Sequence, residues 1–205
     1  MTRGLLLSLT PAEVVARALS LCVVPDDPAA RIMYSSARGR NGGGDPDALT
    51  CASLWRDGNR GPVRATADCV GFAAWAAGFD RYQPARATSY GGWLNQASMI
   101  MEAARPGGMF VELDEPVLGC IGAIDNEGKR VGHVGIVVGF KDGVPQVAHC
   151  SPSNERRVGQ AIAVTSARVA FGSRQIHWLA IAPWVTPDRD PARASVGPPE
   201  GPAVA

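Results

Sequence analysis

One cysteine stands where a helix is expected to begin. Residues 69–77 are small and apolar apart from Phe72 and Trp75, and Gly78 follows where a residue that ends a helix often lies. This pattern predicts a short buried helix that begins at or just before Cys69. The unpaired N–H groups and the positive dipole end of a helix start favour the thiolate, which attacks carbonyl carbon. Cys69 is therefore a candidate nucleophile, although a buried cysteine is also a common packing residue.

Histidine, the usual partner of such a thiol, is scarce, since the chain has three. His133 begins the most strand-like run, in which alternation places His133, Gly135 and Val137 on one face. His149 ends the next predicted strand, and a turn between the two strands can bring its ring beside that of His133. A thiol, a base and a third group that orients the base are what nucleophilic catalysis needs. The remaining His177 lies in a late strand, and we expect it to be partly buried or on the surface.

Zinc is a competing interpretation of the same residues. The conceivable ligands are Cys120, His133, His149 and Cys150. They lack the short paired spacing of a structural site, so we expect no metal and no cofactor. The five cysteines are odd in number and include no CxxC pair, which favours unpaired thiols over a disulfide framework. A single bridge from Cys51 to Cys22 or to Cys120 stays an alternative.

Two further helices are predicted around the candidate nucleophile. Thr10, Pro11 and Glu13 have the pattern of a capped helix start, and apolar positions up to about residue 24 share one face before Pro25. Another helix is expected over residues 93–104. Its predicted buried face consists of Leu94, Ala97, Met101 and Ala104.

Six strand-like runs follow these helices. They cover residues 109–113, 119–124, 131–140, 144–149, 161–164 and 175–182. Lys141, Asp142 and Gly143 predict a hairpin turn between the third and fourth runs. Helices first and antiparallel strands afterwards indicate an α+β fold, with N-terminal helices packed on an antiparallel sheet of about five to six strands.

The 205 residues are enough for one hydrophobic core, so we expect one domain with tails. Residues 1–30 are expected to form a helix that packs on the domain, residues 31–185 a single catalytic domain, and residues 186–205 a disordered Pro- and Ala-rich tail. Residues 34–67 lack periodicity and are expected to shape the site. Their glycine cluster at 42–44 lacks the context of a phosphate loop, which favours a flexible loop.

Charge and hydropathy argue against binding to nucleic acid and against a membrane span. The 20 basic and 19 acidic residues, without a basic stripe, give no electrostatic case for nucleic acid. Arg3 and the apolar residues 5–7 suggest a signal peptide, but the helix start at Thr10 interrupts them and the run is too short to span a membrane. We therefore predict no Sec signal and no membrane span, for a protein made in the cytoplasm.

Three blocks of the sequence together resemble a known family. Asp-Cys-Val-Gly-Phe at residues 68–72, Gly-His-Val-Gly-Ile at 132–136 and Val-Ala-His at 147–149 look like the signature of the NlpC-type cell-wall cysteine peptidases. This family is a papain-like branch of the cysteine peptidases. Each block alone is weak, but the three occur in the family's order at plausible spacing. The resemblance covers roughly residues 60–182.

The resemblance implies a papain-like NlpC-type fold with Cys69 as nucleophile, His133 as general base and acid, and His149 as the orienting third residue. It implies hydrolysis of an amide in the peptide stem of bacterial peptidoglycan through a thioester acyl-enzyme. The backbone N–H of Cys69 would help to hold the oxyanion. The substrate-binding residues expected around this centre are Tyr34, Asp68 and Trp93.

The chain departs from the family pattern at Val70, where relatives usually have serine. Most relatives also carry a leader or wall-binding repeats, which are expected to be absent here. This favours a phage lytic enzyme or an injected antibacterial effector that leaves the cell by a leaderless route, with a cognate immunity or inhibitor protein as partner.

Two other interpretations stay open. One is a non-catalytic binding or structural module, such as a phage virion component, in which Cys69 is a core residue. The other is an intracellular amidase or acyltransferase of the same fold. Arg38, Arg40 and Arg64 can meet acidic groups of a peptide stem, but a solvated charged face explains them more simply.

Overall fold

A computed structural model describes residues 9–34, 66–79, 94–128 and 130–182 of the chain. Its helices are α1 (Pro11–Ser20), α2 (Cys69–Ala77), α3 (Gln96–Ala104), α4 (Pro152–Val158) and α5 (Ala167–Phe171), with a 3₁₀ turn at Pro28–Ala30. Its strands are β1 (Met33–Tyr34), β2 (Thr66–Ala67), β3 (Phe110–Leu113), β4 (Ile121–Ile124), β5 (His133–Lys141), β6 (Val144–Cys150), β7 (Ile162–Ser166) and β8 (His177–Ile181). The predictions for residues 5–7, the glycine cluster, Cys51, Trp93, the three arginines at 38, 40 and 64, and the tail lie outside the described residues.

The centre of the fold is a six-stranded antiparallel sheet. Its strand order is β3-β8-β4-β5-β6-β7, and each of its strands corresponds to one predicted run. The α+β class is therefore confirmed. The sheet is not a continuous meander, because β8 returns from the end of the described chain to lie between β3 and β4. A separate two-stranded parallel pair joins β1 to β2.

The hairpin between β5 and β6 has the predicted turn. Asp142 and Gly143 both have positive φ, at 50° and 75°, which a tight two-residue hairpin turn requires. The turn pairs Lys141 with Val144 and, beyond an irregularity near the middle, Ile136 with Ala148. This register brings the start of β5 beside the end of β6, where the two candidate histidines lie.

Helix α2 is buried on nearly all sides, as the sequence predicts. Asp68 caps its start, because its carboxylate accepts a hydrogen bond from the N–H of Gly71 at 2.7 Å. Gly78 ends it in the left-handed conformation, with φ of 77°. One side of the helix packs on β5 and β6, and α1 covers another. Arg17 joins the two helices, since its guanidinium lies 4.2 Å from the ring centre of Trp75 and donates to that residue's carbonyl at 2.9 Å.

Helix α1 has the predicted capping box but ends at Ser20, four residues before the predicted end. The Gln160 side chain explains the early end. Its Nε2 donates to the carbonyls of Leu21 and Val23 at 2.9 and 3.2 Å, so this segment bonds to the sheet domain instead of continuing the helix. Such a contact, between residues far apart in the chain, leaves no local signal.

The prediction for α3 is wrong at its start and on its buried face. Asn95 caps a helix that begins at Gln96, three residues after the predicted position. Met101, expected inside, is 54% exposed, whereas Glu102 is buried. The Glu102 carboxylate accepts a hydrogen bond from the N–H of Met109 at 3.2 Å, so a polar contact sets which side of the helix faces the core.

Helices α4 and α5 were not predicted. Each is short and begins at a serine whose side chain accepts a hydrogen bond from a backbone N–H of the first turn. Within the ranges that the model describes, no helix has the length and apolar character needed to cross a membrane.

Candidate functional site

A cavity of about 500 Å³ lies where the start of α2 meets the start of β5 and the end of β6. Five of the six predicted site residues line it, namely Tyr34, Asp68, Cys69, His133 and His149. The sixth, Trp93, lies outside the described residues. The three sequence blocks, separated by up to about 80 residues, therefore meet at one cavity.

Local structure explains how Cys69 reaches this cavity. It is the first residue of α2, directly after the capping residue Asp68, and it is 9% exposed. Asp68 as a residue is 5% exposed, and its carboxylate bonds to the helix start, so it positions the cysteine as well as lining the cavity. Strand β2 pairs with β1 just before the helix, and this register sets Tyr34 opposite Ala67, two residues from Cys69.

The two histidines are in direct contact, as the sequence predicts. Nε2 of His133 lies 2.8 Å from Nδ1 of His149, and the two rings are perpendicular with centres 5.0 Å apart. Nε2 of His149 in turn lies 2.9 Å from the hydroxyl of Thr165. His133 thus uses Nε2 for this chain of hydrogen bonds, which leaves Nδ1 to accept a proton from a thiol.

We assign the direction of these hydrogen bonds from the threonine, whose hydroxyl lies nearer to Nε2 of His149 than the amide of Asn154 does, at 2.9 Å against 3.4 Å. The Thr165 hydroxyl has one proton, which it donates to the carbonyl of Ser166 at 3.3 Å, so its oxygen accepts from Nε2–H of His149. Nδ1 of His149 is then unprotonated and accepts from Nε2–H of His133. In this tautomer Nδ1 of His133 carries a lone pair, which is what a general base requires.

A neighbouring amide supports His149 from α4. The Asn154 Nδ2 donates to the backbone carbonyl of His149 at 2.9 Å and lies 3.4 Å from Nε2 of the ring. Its Oδ1 accepts from Nη2 of Arg157 at 3.2 Å, which fixes the orientation of the amide, since arginine only donates. Asn154 thereby holds the end of β6 in place.

Burial keeps both imidazoles neutral. It lowers the pKa of His133 below the ordinary histidine value, and the nearby His149 and Arg174 lower it further. Burial also lowers the pKa of His149, with a smaller contribution from the Arg157 charge. The resting site therefore holds an uncharged base.

The lowered histidine pKa values predict that the fold loses stability in mild acid. Below about pH 6.5 histidines of the unfolded chain bind protons while the folded imidazoles stay neutral, so the free energy of unfolding falls as the pH decreases towards the folded-state values. Urea midpoints measured between about pH 7.5 and 5 should decrease. A His149→Gln variant, which lacks one of the two groups, should show a smaller pH dependence; an equal slope would contradict the assignment.

Gly135 gives His149 room. A Cβ at this position would lie 2.5 Å from Cγ1 of Val147 and 3.0 Å from Cβ of His149. Side chains of β6 thus fill the space that the missing side chain of Gly135 leaves on this face of β5.

We expect Gly135→Ala to lower the free energy of unfolding by about 1–3 kcal/mol through this overpacking, and to displace His149. Gly139→Ala is the matched control on the same strand, because a Cβ there meets nothing within 4 Å. Urea denaturation of both variants tests the difference. Equal stability of the two variants would show that the close approach does not matter.

The other described cysteines are buried or partly buried thiols. Burial raises the pKa of Cys22 and of Cys120 to about 12, and it raises that of Cys150 as well. No disulfide involves Cys22, Cys69, Cys120 or Cys150. In the part of the chain that the model covers, no group of three or more His, Cys, Asp or Glu residues is placed to hold a metal ion.

Sequence reasoning missed three residues of the site: Thr165, Asn154 and Arg174. The predicted strand ended at Val164, one residue before the threonine. Asn154 lies in a helix too short for a periodic signal, and Arg174 lies in a turn.

Comparisons of the chain with protein-family models, with curated proteins and with solved structures find no match.

Proposed function

We propose that this protein is a cysteine hydrolase that cleaves an amide bond in the peptide stem of bacterial peptidoglycan, on a papain-like fold of the NlpC type. One observation supports it above the others: the hydrogen-bonded pair His133–His149 lines the same cavity as Cys69 at a helix start. The choice of substrate rests on the resemblance of the three sequence blocks to the NlpC-type peptidases. The choice of mechanism rests on the site geometry.

The reaction begins when Nδ1 of His133 takes the thiol proton of Cys69 and the sulfur attacks the scissile carbonyl carbon. The carbonyl oxygen becomes an oxyanion, to which the backbone N–H of Cys69 donates, since the first N–H groups of a helix have no carbonyl partner within it. His133 then gives its proton to the leaving nitrogen, and the C–N bond breaks. A thioester and a free amine result.

Water completes the cycle. His133 takes a proton from the water molecule as its oxygen attacks the thioester carbon. The C–S bond then breaks and His133 returns the proton to the sulfur, which gives the acid and the thiol. Since burial lowers the pKa of His133, we take proton transfer from the thiol to accompany attack of the sulfur. His149 accepts from Nε2–H throughout and keeps the base in the required tautomer.

Digestion of purified cell walls tests the proposal. The protein is incubated with peptidoglycan of the diaminopimelate and the lysine type, and released fragments are identified by mass spectrometry. We expect fragments with one new amine and one new carboxyl end, and none from Cys69→Ala. Absence of fragments from every wall, with Cys69 still selectively alkylated, would overturn the substrate but leave the mechanism; alkylation of Cys69 no faster than that of Cys22 would favour a non-catalytic module.

A further inference from the structure

Arg174 brings a positive charge into the cavity wall. Its Nη1 donates to the carbonyls of Val131 at 3.0 Å and Asp125 at 3.5 Å, which fixes the guanidinium beside the start of β5. Among the described lining residues it is the only cation, and Asp68 is the only carboxylate. Because Asp68 bonds to the start of α2, Arg174 is the charged lining side chain beside the start of β5.

No carboxylate among the described residues lies within ion-pair distance of Arg174. By contrast, the guanidinium groups of Arg105 and Arg130, also among the described residues, each have a nitrogen within 4.0 Å of a glutamate carboxylate oxygen. The Arg174 charge also reaches the catalytic base, because it contributes to the lowered pKa of His133. An unpaired, partly buried guanidinium this close to the reacting atoms is placed to receive an anion.

Asn126 adds a second donor at the same end. Its Oδ1 accepts from the N–H of Gly132 at 2.8 Å and from Nε2 of Gln96 at 3.1 Å, which fixes the amide orientation. No described residue accepts from its Nδ2. Next to these polar groups, Val131 and Val169 line the cavity with 48% and 69% of their surface exposed. The end of the cavity thus combines hydrogen-bond donors with apolar side chains.

We propose that Arg174 and Asn126 form a carboxylate subsite, so that the substrate is an acidic peptide with a free carboxylate beside the scissile amide. The inference deepens the proposed function and rests on it. A guanidinium and an amide N–H₂ match the acceptor oxygens of a carboxylate, whereas the neutral carboxamide of an amidated stem presents an N–H₂ group to these donors. The valines contact the aliphatic carbons that carry the carboxylate.

Paired substrates test the subsite. Synthetic stem tripeptides that differ only in a γ-D-glutamyl α-carboxylate or its carboxamide are compared by kcat/KM. We expect the wild-type protein to prefer the acid by roughly tenfold, as the loss of one charged hydrogen bond implies, and Arg174→Gln to abolish this preference. Arg168→Gln, which removes an exposed arginine outside the cavity, should keep it.

The ratio of kcat/KM for the acid to kcat/KM for the carboxamide distinguishes recognition of the carboxylate from loosening of the backbone around Val131. A purely structural defect lowers kcat/KM for both substrates equally. A preference that persists in Arg174→Gln, or a wild-type ratio near one, would overturn the inference.

Binding of the same two peptides to the Cys69→Ala chain, measured by NMR titration, separates this result from the hydrolase proposal. Selective binding of the acid without hydrolysis by the wild-type chain would support the subsite and contradict the proposed reaction; equal binding would overturn the subsite.

Discussion

Replacement of His133 by alanine is expected to lower kcat/KM for peptide-stem hydrolysis at about pH 7 by roughly 10²–10⁴-fold. The variant lacks the lone pair at Nδ1 that takes the thiol proton and the proton that is later given to the leaving amine. It also lacks the Nε2–H that bonds to His149 at 2.8 Å. No other described residue of the cavity can take both roles, because His149 already uses Nδ1 and Nε2 in hydrogen bonds.

Alkylation of the individual cysteines by iodoacetamide gives a second measurement of the same effect. In the wild-type protein Cys69 should react far faster than Cys22 and Cys120, because Nδ1 of His133 takes its proton as the sulfur attacks, whereas burial raises the pKa of the other two thiols to about 12. In His133→Ala this advantage should disappear. His177→Ala is the matched control, since that imidazole bonds to Glu112 at 2.7 Å and does not line the cavity. Undiminished hydrolysis in His133→Ala would exclude His133 as the base.

The sequence predicts the parts of this site that local signals determine. A small apolar run and a terminal glycine predict α2 with Cys69 at or near its start, whereas the capping role of Asp68 emerges from the structure. Asp142 and Gly143 likewise predict the turn of the β5–β6 hairpin. That turn brings the start of β5 near the end of β6, but the irregularity between Val137 and Gly139 is also needed. It shifts the register by one residue, so that Val147 pairs with Val137 and His149 lies on the same face as His133. The turn was predictable from its residues, whereas the irregularity was not.

Other features depend on contacts between distant parts of the chain. Strand β8 lies between β3 and β4, and nothing in its own sequence specifies this position. The register of β7 against β6, which pairs Thr165 with Val147, is set through α4 and not through a tight turn. The buried face of α3 includes Glu102, whose carboxylate accepts a hydrogen bond from the N–H of Met109, whereas the hydrophobic pattern of the helix favoured Met101.

Thr165 is the residue of the proposed catalytic site whose position depends on this register, which no local sequence signal predicts. Replacement by valine keeps the shape of the side chain but removes the oxygen that accepts from Nε2–H of His149 at 2.9 Å. Asn154 Nδ2, 3.4 Å from the same nitrogen, is then the remaining donor, which favours the opposite tautomer of His149. In that tautomer His149 donates to His133, and the proton of His133 moves to Nδ1, where it blocks acceptance of the thiol proton.

Thr165→Val is therefore expected to lower kcat by about 100-fold with a smaller change in KM, because the binding surface stays intact while the population of the competent tautomer falls. Thr165→Ser, which restores the hydroxyl, should recover most of the activity. NMR of ¹⁵N-labelled imidazoles reports the tautomer directly: Nδ1 of His133 should be unprotonated in the wild-type and serine forms and protonated in the valine form. Equal loss of activity in Thr165→Val and Thr165→Ser, without a change of tautomer, would show that packing and not the hydroxyl is what the site requires from this residue.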